Sequence, residues 1–163
     1  VSAGKLLKAG WGLADDLLQA VDQGPNERRC LVVVVGKERF AVPHEMVREI
    51  VDGPKVAPWL PGSWIVGVLA LRGEICTLID PVGAGAPRRI AVLLDRPGRQ
   101  VALAVDALAG VHTFAEADWK DFEDGRFDWA RRIHAGTGKA TLWLDPDLML
   151  ATLDRQNTKE TLP

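Results

Sequence analysis

The run Gly67-Val68-Leu69-Ala70-Leu71-Arg72-Gly73-Glu74-Ile75-Cys76-Thr77-Leu78-Ile79-Asp80 constrains the fold more than any other part of the chain. Two apolar stretches rich in strand formers flank a short charged turn at Arg72-Gly73, which is the pattern of a buried β-hairpin. It contains no catalytic pattern. A core this apolar around one exposed arginine suggests a protein that holds other proteins.

Similar punctuation continues on both sides. Cys30 to Val35 is a valine-rich strand, Gly36-Lys37-Glu38 a hairpin turn, and Arg39 to Val42 the returning strand, broken by Pro43. His44 to Val47 suits a short helical turn and Arg48 to Val51 another strand. Pro58 to Trp64 reads as a stiff loop with two tryptophans. Ile90 to Leu94 and Val101 to Val105 form a hairpin across Asp95 to Gln100, and Val82 to Pro87 is a connector. The region His112 to Gly138 is more polar and reads as loops with room for a short strand, Ala140 to Leu144 is a last strand, and Asp145-Pro146 has the form of a helix start. Leu148, Met149 and Leu153 give that helix a buried face, and residues after Gln156 look like a tail.

About eight or nine short strands with tight turns disfavour a parallel α/β sheet and favour small antiparallel barrels, because closure removes exposed edges. Two barrels fit 163 residues, with a division near Pro81 to Pro87. Ahead of them Leu6, Leu7, Leu13, Leu17, Leu18 and Val21 recur at helical spacing of about three to four residues, ended by Gly24-Pro25.

Composition narrows the function classes. A net charge of -2 gives no general attraction to nucleic acid or anionic lipid. No apolar run reaches the roughly 20 residues of a membrane span. Cys30 and Cys76 sit in strand-like runs and read as buried, reduced thiols of a cytosolic protein. His44, His112 and His134 match no short metal motif, and the phosphate-binding glycine loops and nucleophile elbow are missing. Glu74 and Asp80 read as exposed or turn-capping carboxylates. Arg28-Arg29, Arg88-Arg89 and Arg131-Arg132 read as solvated element boundaries. Six tryptophans beside no tyrosine and four phenylalanines point to association, since tryptophan and arginine concentrate binding energy. Trp59, Trp64, Trp119 and Trp129 either cover a barrel end or form a docking surface. Arg72 is the leading contact residue, able to donate several fixed hydrogen bonds beside a groove, the alternative being a local salt bridge or turn contact.

From roughly Arg29 to Leu153 the chain resembles the CheW family, the coupling proteins of bacterial chemosensory arrays. The resemblance runs through Cys30-Leu31-Val32-Val33-Val34, Phe40-Ala41-Val42-Pro43, Val47-Arg48-Glu49-Ile50, the Gly67 to Gly73 run, Ile79-Asp80, Ala104-Val105-Asp106 and Leu142-Trp143-Leu144-Asp145. Ala70, Thr77 and Pro81 depart from the family pattern. The resemblance implies a mostly β fold of two small five-stranded, SH3-like barrels with peripheral helices and no catalytic site, metal or cofactor. It implies an N-terminal extension over 1–27, a domain of two intertwined barrels over 28–154, and a tail over 155–163.

The same resemblance implies a non-enzymatic adaptor in the cytoplasm, recruited to membrane-associated or polar arrays without inserting in the membrane. Its partners are then the regulatory domain of a CheA-like histidine kinase, a chemoreceptor cytoplasmic tip, or other CheW-like domains. Arg72 matches the receptor-contact arginine, and Val47, Glu49 and Gly67 match partner-docking positions, to which the composition argument adds Trp59 and Trp64. The alternatives are a scaffold or localisation protein that positions an array, and a small ligand-binding barrel or enzyme.

Overall fold

The computed structural model describes residues 26–58, 64–123, 127–136 and 138–161. Among these residues twelve strands alternate with tight turns and end in one helix. Strands β1 (Glu27–Val35) and β2 (Glu38–Pro43) form the first hairpin, and a 3-10 turn over His44–Met46 leads into β3 (Val47–Asp52) and β4 (Val56–Pro58). Then come β5 (Ile65–Leu71), β6 (Glu74–Ile79), β7 (Ile90–Leu94), β8 (Val101–Val105) and β9 (Ala107–Ala115). After a 3-10 turn over Glu116–Asp118 follow β10 (Lys120–Asp121), β11 (Arg132–His134), β12 (Thr141–Trp143) and helix α1 (Pro146–Thr161).

The strands form two six-stranded sheets, in the orders β10-β11-β12-β2-β1-β9 and β3-β7-β8-β6-β5-β4. The mostly β expectation stands. Each sheet has six strands where five per barrel are expected, and both are mixed rather than antiparallel. β12 lies parallel to β2, and β6 parallel to β8. No long helical crossover is needed, because the chain between each parallel pair is itself spent on neighbouring strands. The division expected at Pro81 to Pro87 is corrected too: that segment joins β6 to β7 inside the second sheet. The chain changes sheets at the 3-10 turn before β3 and again at Asp106, between β8 and β9.

Strand alternation explains how two sheets make three cores. On β7, Ile90, Val92 and Leu94 face the space between the sheets, whereas Ala91 and Leu93 face the second sheet's own interior with Leu69, Cys76 and Leu78. β8 divides in the same way, Val101, Leu103 and Val105 against Ala102 and Ala104. A strand buried on both faces needs a continuous apolar run, and both strands have one. On the first sheet Leu31, Val33, Phe40 and Val42 join the space between the sheets, while Cys30 and Ala41 face Trp119 and Trp143. Each fully buried large side chain contributes about 1.5–3 kcal/mol.

Helix α1 closes the region between the sheets with Met149, Leu150 and Leu153. It starts as its sequence demands. Asp145 Oδ1 accepts the Leu148 N–H at 3.0 Å, and Pro146 occupies a position with no intrahelical donor to lose. It runs on to Thr161, through most of the segment read as a tail. The polar region from His112, read as loops with a short strand, holds two short strands, β10 and β11, and begins inside the nine-residue strand β9. The helical reading of residues 3–21 lies outside the described residues.

Candidate functional site

The β5–β6 hairpin closes at Leu71 and Glu74, with Arg72 at φ 53° and Gly73 at φ 80°. Two consecutive left-handed residues make the tight turn that matches strand twist. Gly73 adopts this backbone freely. Arg72 is the single non-glycine residue with positive φ among the described residues, at a cost of about 1–2 kcal/mol. The strained backbone aims its side chain across the end of the sheet.

Its partner is Glu49 on β3. Arg72 Nη1 donates to Glu49 Oε2 at 2.9 Å, and Nη2 donates to Glu49 Oε1. The pair is asymmetric: the arginine side chain is 57% exposed and the carboxylate 11%. Glu49 faces this way because of a bulge. The β3–β7 register slips between Val47 and Glu49, so Val47 packs between the sheets while Glu49 lies opposite Leu93, at the rim of the second sheet's interior. Because β3 is an edge strand separated from β6 by β7 and β8, the pair joins strands that the sheet order keeps apart. A two-pronged arginine–carboxylate contact of this kind fixes orientation as well as charge.

A second charged layer backs it. Arg48 Nη2 lies 3.7 Å from Glu74 Oε2, and Arg48 Nη1 donates to Gln100 Oε1 at 3.4 Å. The Cys76 thiol faces the same amide oxygen at 4.0 Å, and burial pushes its pKa up. Ile75, beside the turn, is 67% exposed and is the single large apolar side chain so exposed among the described residues. The Arg72–Glu49 pair and the exposed Ile75 therefore lie at the same end of the second sheet, beside the β5–β6 turn.

The remaining expected site residues take different places. Gly67 lies on β5 flush against β4, where an added Cβ would stand 2.2 Å from the Ala57 carbonyl oxygen. Val47 is buried. Trp64 sits at the far end of β5, on the order of 25 Å along the strand from Arg72. Its ring meets Trp129 edge-on at 4.4 Å between centroids, and its carbonyl accepts the Asp80 N–H at 2.7 Å. Trp59 lies outside the described residues. Trp119 and Trp129 are buried in core clusters.

Sequence reasoning missed the charge cluster between the sheets. Asp80 is fully buried, which corrects the exposed reading, though the capping reading holds: its Oδ1 accepts Val82 N–H at 3.0 Å and its Oδ2 accepts Ala86 N–H at 3.3 Å. Arg88 is half-buried rather than solvated, its side chain 9% exposed. It donates to Asp80 Oδ2 at 3.3 Å and to Asp106 Oδ2 at 2.7 Å. Asp106 Oδ2 in turn accepts the Gly36 N–H from the β1–β2 turn at 2.6 Å. An aspartate closing an apolar strand, with an arginine eight residues on, was the available signal.

The histidines are scattered in sequence, and each has local polar company. His44 Nδ1 is 3.1 Å from Arg29 O, His112 Nε2 is 2.8 Å from Ala109 O, and His134 packs edge-on against Phe114 and Trp119. Among the described residues no group of three or more His, Cys, Asp or Glu side chains is arranged to hold a metal. Among the same residues no helix is long and apolar enough to cross a membrane.

Comparison with known proteins agrees with this architecture. A family model described as CheW-like domain matches residues 29–154. The fold is similar to the crystal structure of scaffolding protein TtCheW from Thermoanaerobacter tengcongensis, with a TM-score of 0.64 and 18% identity over 76% of this chain and 88% of that one. No curated protein matches the chain by sequence.

Proposed function

The chain belongs to the CheW-like domain family, and from that membership we propose that it couples chemoreceptors to a CheA-type histidine kinase through the Arg72 end of its second sheet. At the family level it is a non-enzymatic adaptor or scaffold of chemosensory signalling. The finer reading is a cytoplasmic domain over 28–154, recruited to membrane-associated arrays, with residues 1–27 and 155–163 as extensions. Each sheet closes on itself as a small barrel. The Arg72–Glu49 contact between strands distant in the sheet order supports closure of the second sheet, and the Phe114–His134 contact between β9 and β11, 5.0 Å between centroids, supports closure of the first.

The observation that carries the docking proposal is the half-exposed Arg72 guanidinium. It is pre-oriented by the turn and by Glu49, its side chain is 57% exposed, and the exposed Ile75 follows three residues on, at the start of β6. A partner carboxylate or backbone carbonyl meets donors already held in a fixed plane, so little side-chain entropy is lost on binding. Gly67 contributes by letting β4 lie against β5, which builds the flank of the same hairpin. Val47 and Trp64 act from within the core by holding β3 and β5.

Coupling needs more than attachment, because a partner that binds both signalling states equally shifts neither. The test is a reconstituted kinase assay with receptor arrays. The parent chain supports receptor control of phosphorylation. Arg72→Glu, folded by circular dichroism, loses that control. Full control retained by the variant contradicts the proposal, and arrays that assemble without any kinase control assign a positioning role instead.

A further inference from the structure

The turn between β7 and β8, Asp95-Arg96-Pro97-Gly98-Arg99-Gln100, touches more of the molecule than reversing a hairpin requires. It is stiff. Arg96 and Arg99 pair across the reversal, the Arg99 N–H donates to Arg96 O at 3.2 Å, and Pro97 followed by Gly98 at φ 69° is the residue pair of a type II turn. The Asp95 N–H donates to Met46 O at 2.7 Å, which ties the turn to the 3-10 crossing between the sheets.

One side of this turn grips helix α1. Arg96 Nη2 lies 2.8 Å from Asp147 Oδ1, and Arg99 donates through Nη1 and Nη2 to Asp154 Oδ2 and Oδ1 at 2.9 and 3.1 Å. Asp147 and Asp154 are about two helical turns apart and so lie along one side of α1. Met149, Leu150 and Leu153 of the same helix enter the core between the sheets, so the seat of α1 fixes where both arginines are held.

The other side of the turn reaches the docking end. Gln100 O accepts the Thr77 N–H at 2.9 Å, and Gln100 Oε1 accepts from Arg48 Nη1 at 3.4 Å. Arg48 Nη2 lies 3.7 Å from Glu74, which closes the β5–β6 hairpin opposite Leu71. Arg99 and Gln100 are neighbours in the chain. The residue that holds the helix is therefore bonded to the residue that holds Arg48 against the Arg72 hairpin.

We propose that helix α1 controls the geometry of the docking end through the β7–β8 turn, with Arg99 and Gln100 as positioning residues acting in series. The proposal rests on the docking reading of Arg72 and adds its regulation: whatever lifts α1 from Arg96 and Arg99 loosens Arg48 and Glu74 beside the contact arginine. Linkage makes the effect reciprocal, so a partner seated at Arg72 slows hydrogen exchange of the α1 amides.

Two measurements on the full chain test it. Amide chemical shifts are recorded for the free protein, and binding is titrated calorimetrically with the regulatory domain of a CheA-type kinase and, separately, with a receptor cytoplasmic tip. The samples are the parent, Arg99→Asp, Gln100→Ala and the double variant. Arg89→Asp is the control, because it breaks an exposed arginine–aspartate pair, Arg89–Asp52, at the opposite end of β3. Arg99→Asp moves the amide shifts of residues 72–75 in the free chain and weakens binding of at least one partner by about twofold to fivefold, within the range of exposed ion pairs. Gln100→Ala does the same, and the double variant is no weaker than Gln100→Ala alone. Hairpin shifts unmoved by Arg99→Asp overturn the proposal. So do hairpin shifts matched by Arg89→Asp, or effects of Arg99→Asp and Gln100→Ala that simply add, because independent sites add and a series does not. Hairpin shifts that move as stated while no variant alters either binding uphold the coupling and remove the docking reading of Arg72 instead.

Discussion

Replacing Gly67 with alanine places a methyl group 2.2 Å from the Ala57 carbonyl oxygen and 2.7 Å from Val56 Cγ1. Ordinary contact begins at 3.4 Å, so β4 must retreat by about 1 Å or β5 must bend. The obstacle is main chain, which cannot rotate away as a flexible side-chain end does. Overpacking costs typically about 1–3 kcal/mol, and weakening the short β4 ladder costs about 1 kcal/mol for each hydrogen bond lost. A destabilisation near 3 kcal/mol is expected, equivalent to a Tm fall of about 9 °C for a chain of this size. Urea denaturation followed by tryptophan fluorescence measures it. Gly73→Ala is the control: nothing lies within 4 Å of its added Cβ, and only the φ of 80° resists, at about 1–2 kcal/mol. A Gly67→Ala protein within about 0.5 kcal/mol of the parent, or one less perturbed than Gly73→Ala, refutes the close approach of β4 and β5.

Arg88→Met strips the buried Asp80 of its cation and leaves an uncompensated charge, so stability in urea drops by about 3–5 kcal/mol; adding Asp80→Asn recovers part of the loss, and a drop under about 1 kcal/mol contradicts the cluster. Asp154 is held below its ordinary value of 3.8 by the hydrogen bond from Arg99, with burial opposing. The stability from that pair is therefore present above 3.8 and lost as pH falls through the lower folded value. The parent should exceed Asp154→Asn at pH 7 by under about 1 kcal/mol, with the difference gone in acid; a difference that grows in acid has the wrong sign. Burial pushes the Cys30 thiol up to about 12, against the nearby Arg28, and raises Cys76 as well. Both thiols should resist DTNB at pH 8 until urea is added, and rapid labelling of native Cys30 shows that the aromatic packing over it opens.

What the sequence discloses depends on how local the signal is. β7 and β8 are legible because burial on both faces demands an unbroken apolar run, and both have one. The Arg72 turn is legible because two strand-forming runs leave no other place for the reversal. The Asp145-Pro146 helix start is legible from capping chemistry alone. β9 is not, since its alanines, glycine, histidine and threonine lie half-exposed along an edge and never alternate strongly. β4 is three residues long, too short for a period to register. Glu49 can be named as a candidate but not paired, because its contact with Arg72 depends on a bulge and on curvature that brings an edge strand to a distant turn. The sheet boundary was misplaced for the same reason. A proline- and glycine-rich connector marks an irregular loop, yet here the loop stays within one sheet, stabilised by the buried Asp80, and the chain crosses between sheets at turns without such marking. Tryptophan content suggested association, but Trp119, Trp129 and Trp143 are spent on cores.

The most direct test of the docking account is amide chemical-shift mapping of the full chain titrated with the regulatory domain of a CheA-type kinase and, separately, with a receptor cytoplasmic tip. The account predicts that at least one partner perturbs the hairpin end around Arg72, Glu49 and Ile75 most strongly, and that Arg72→Glu abolishes those perturbations while the rest of the spectrum keeps its folded dispersion. Saturable binding by both partners that leaves this end of the second sheet unperturbed, with affinity unchanged by Arg72→Glu, contradicts it.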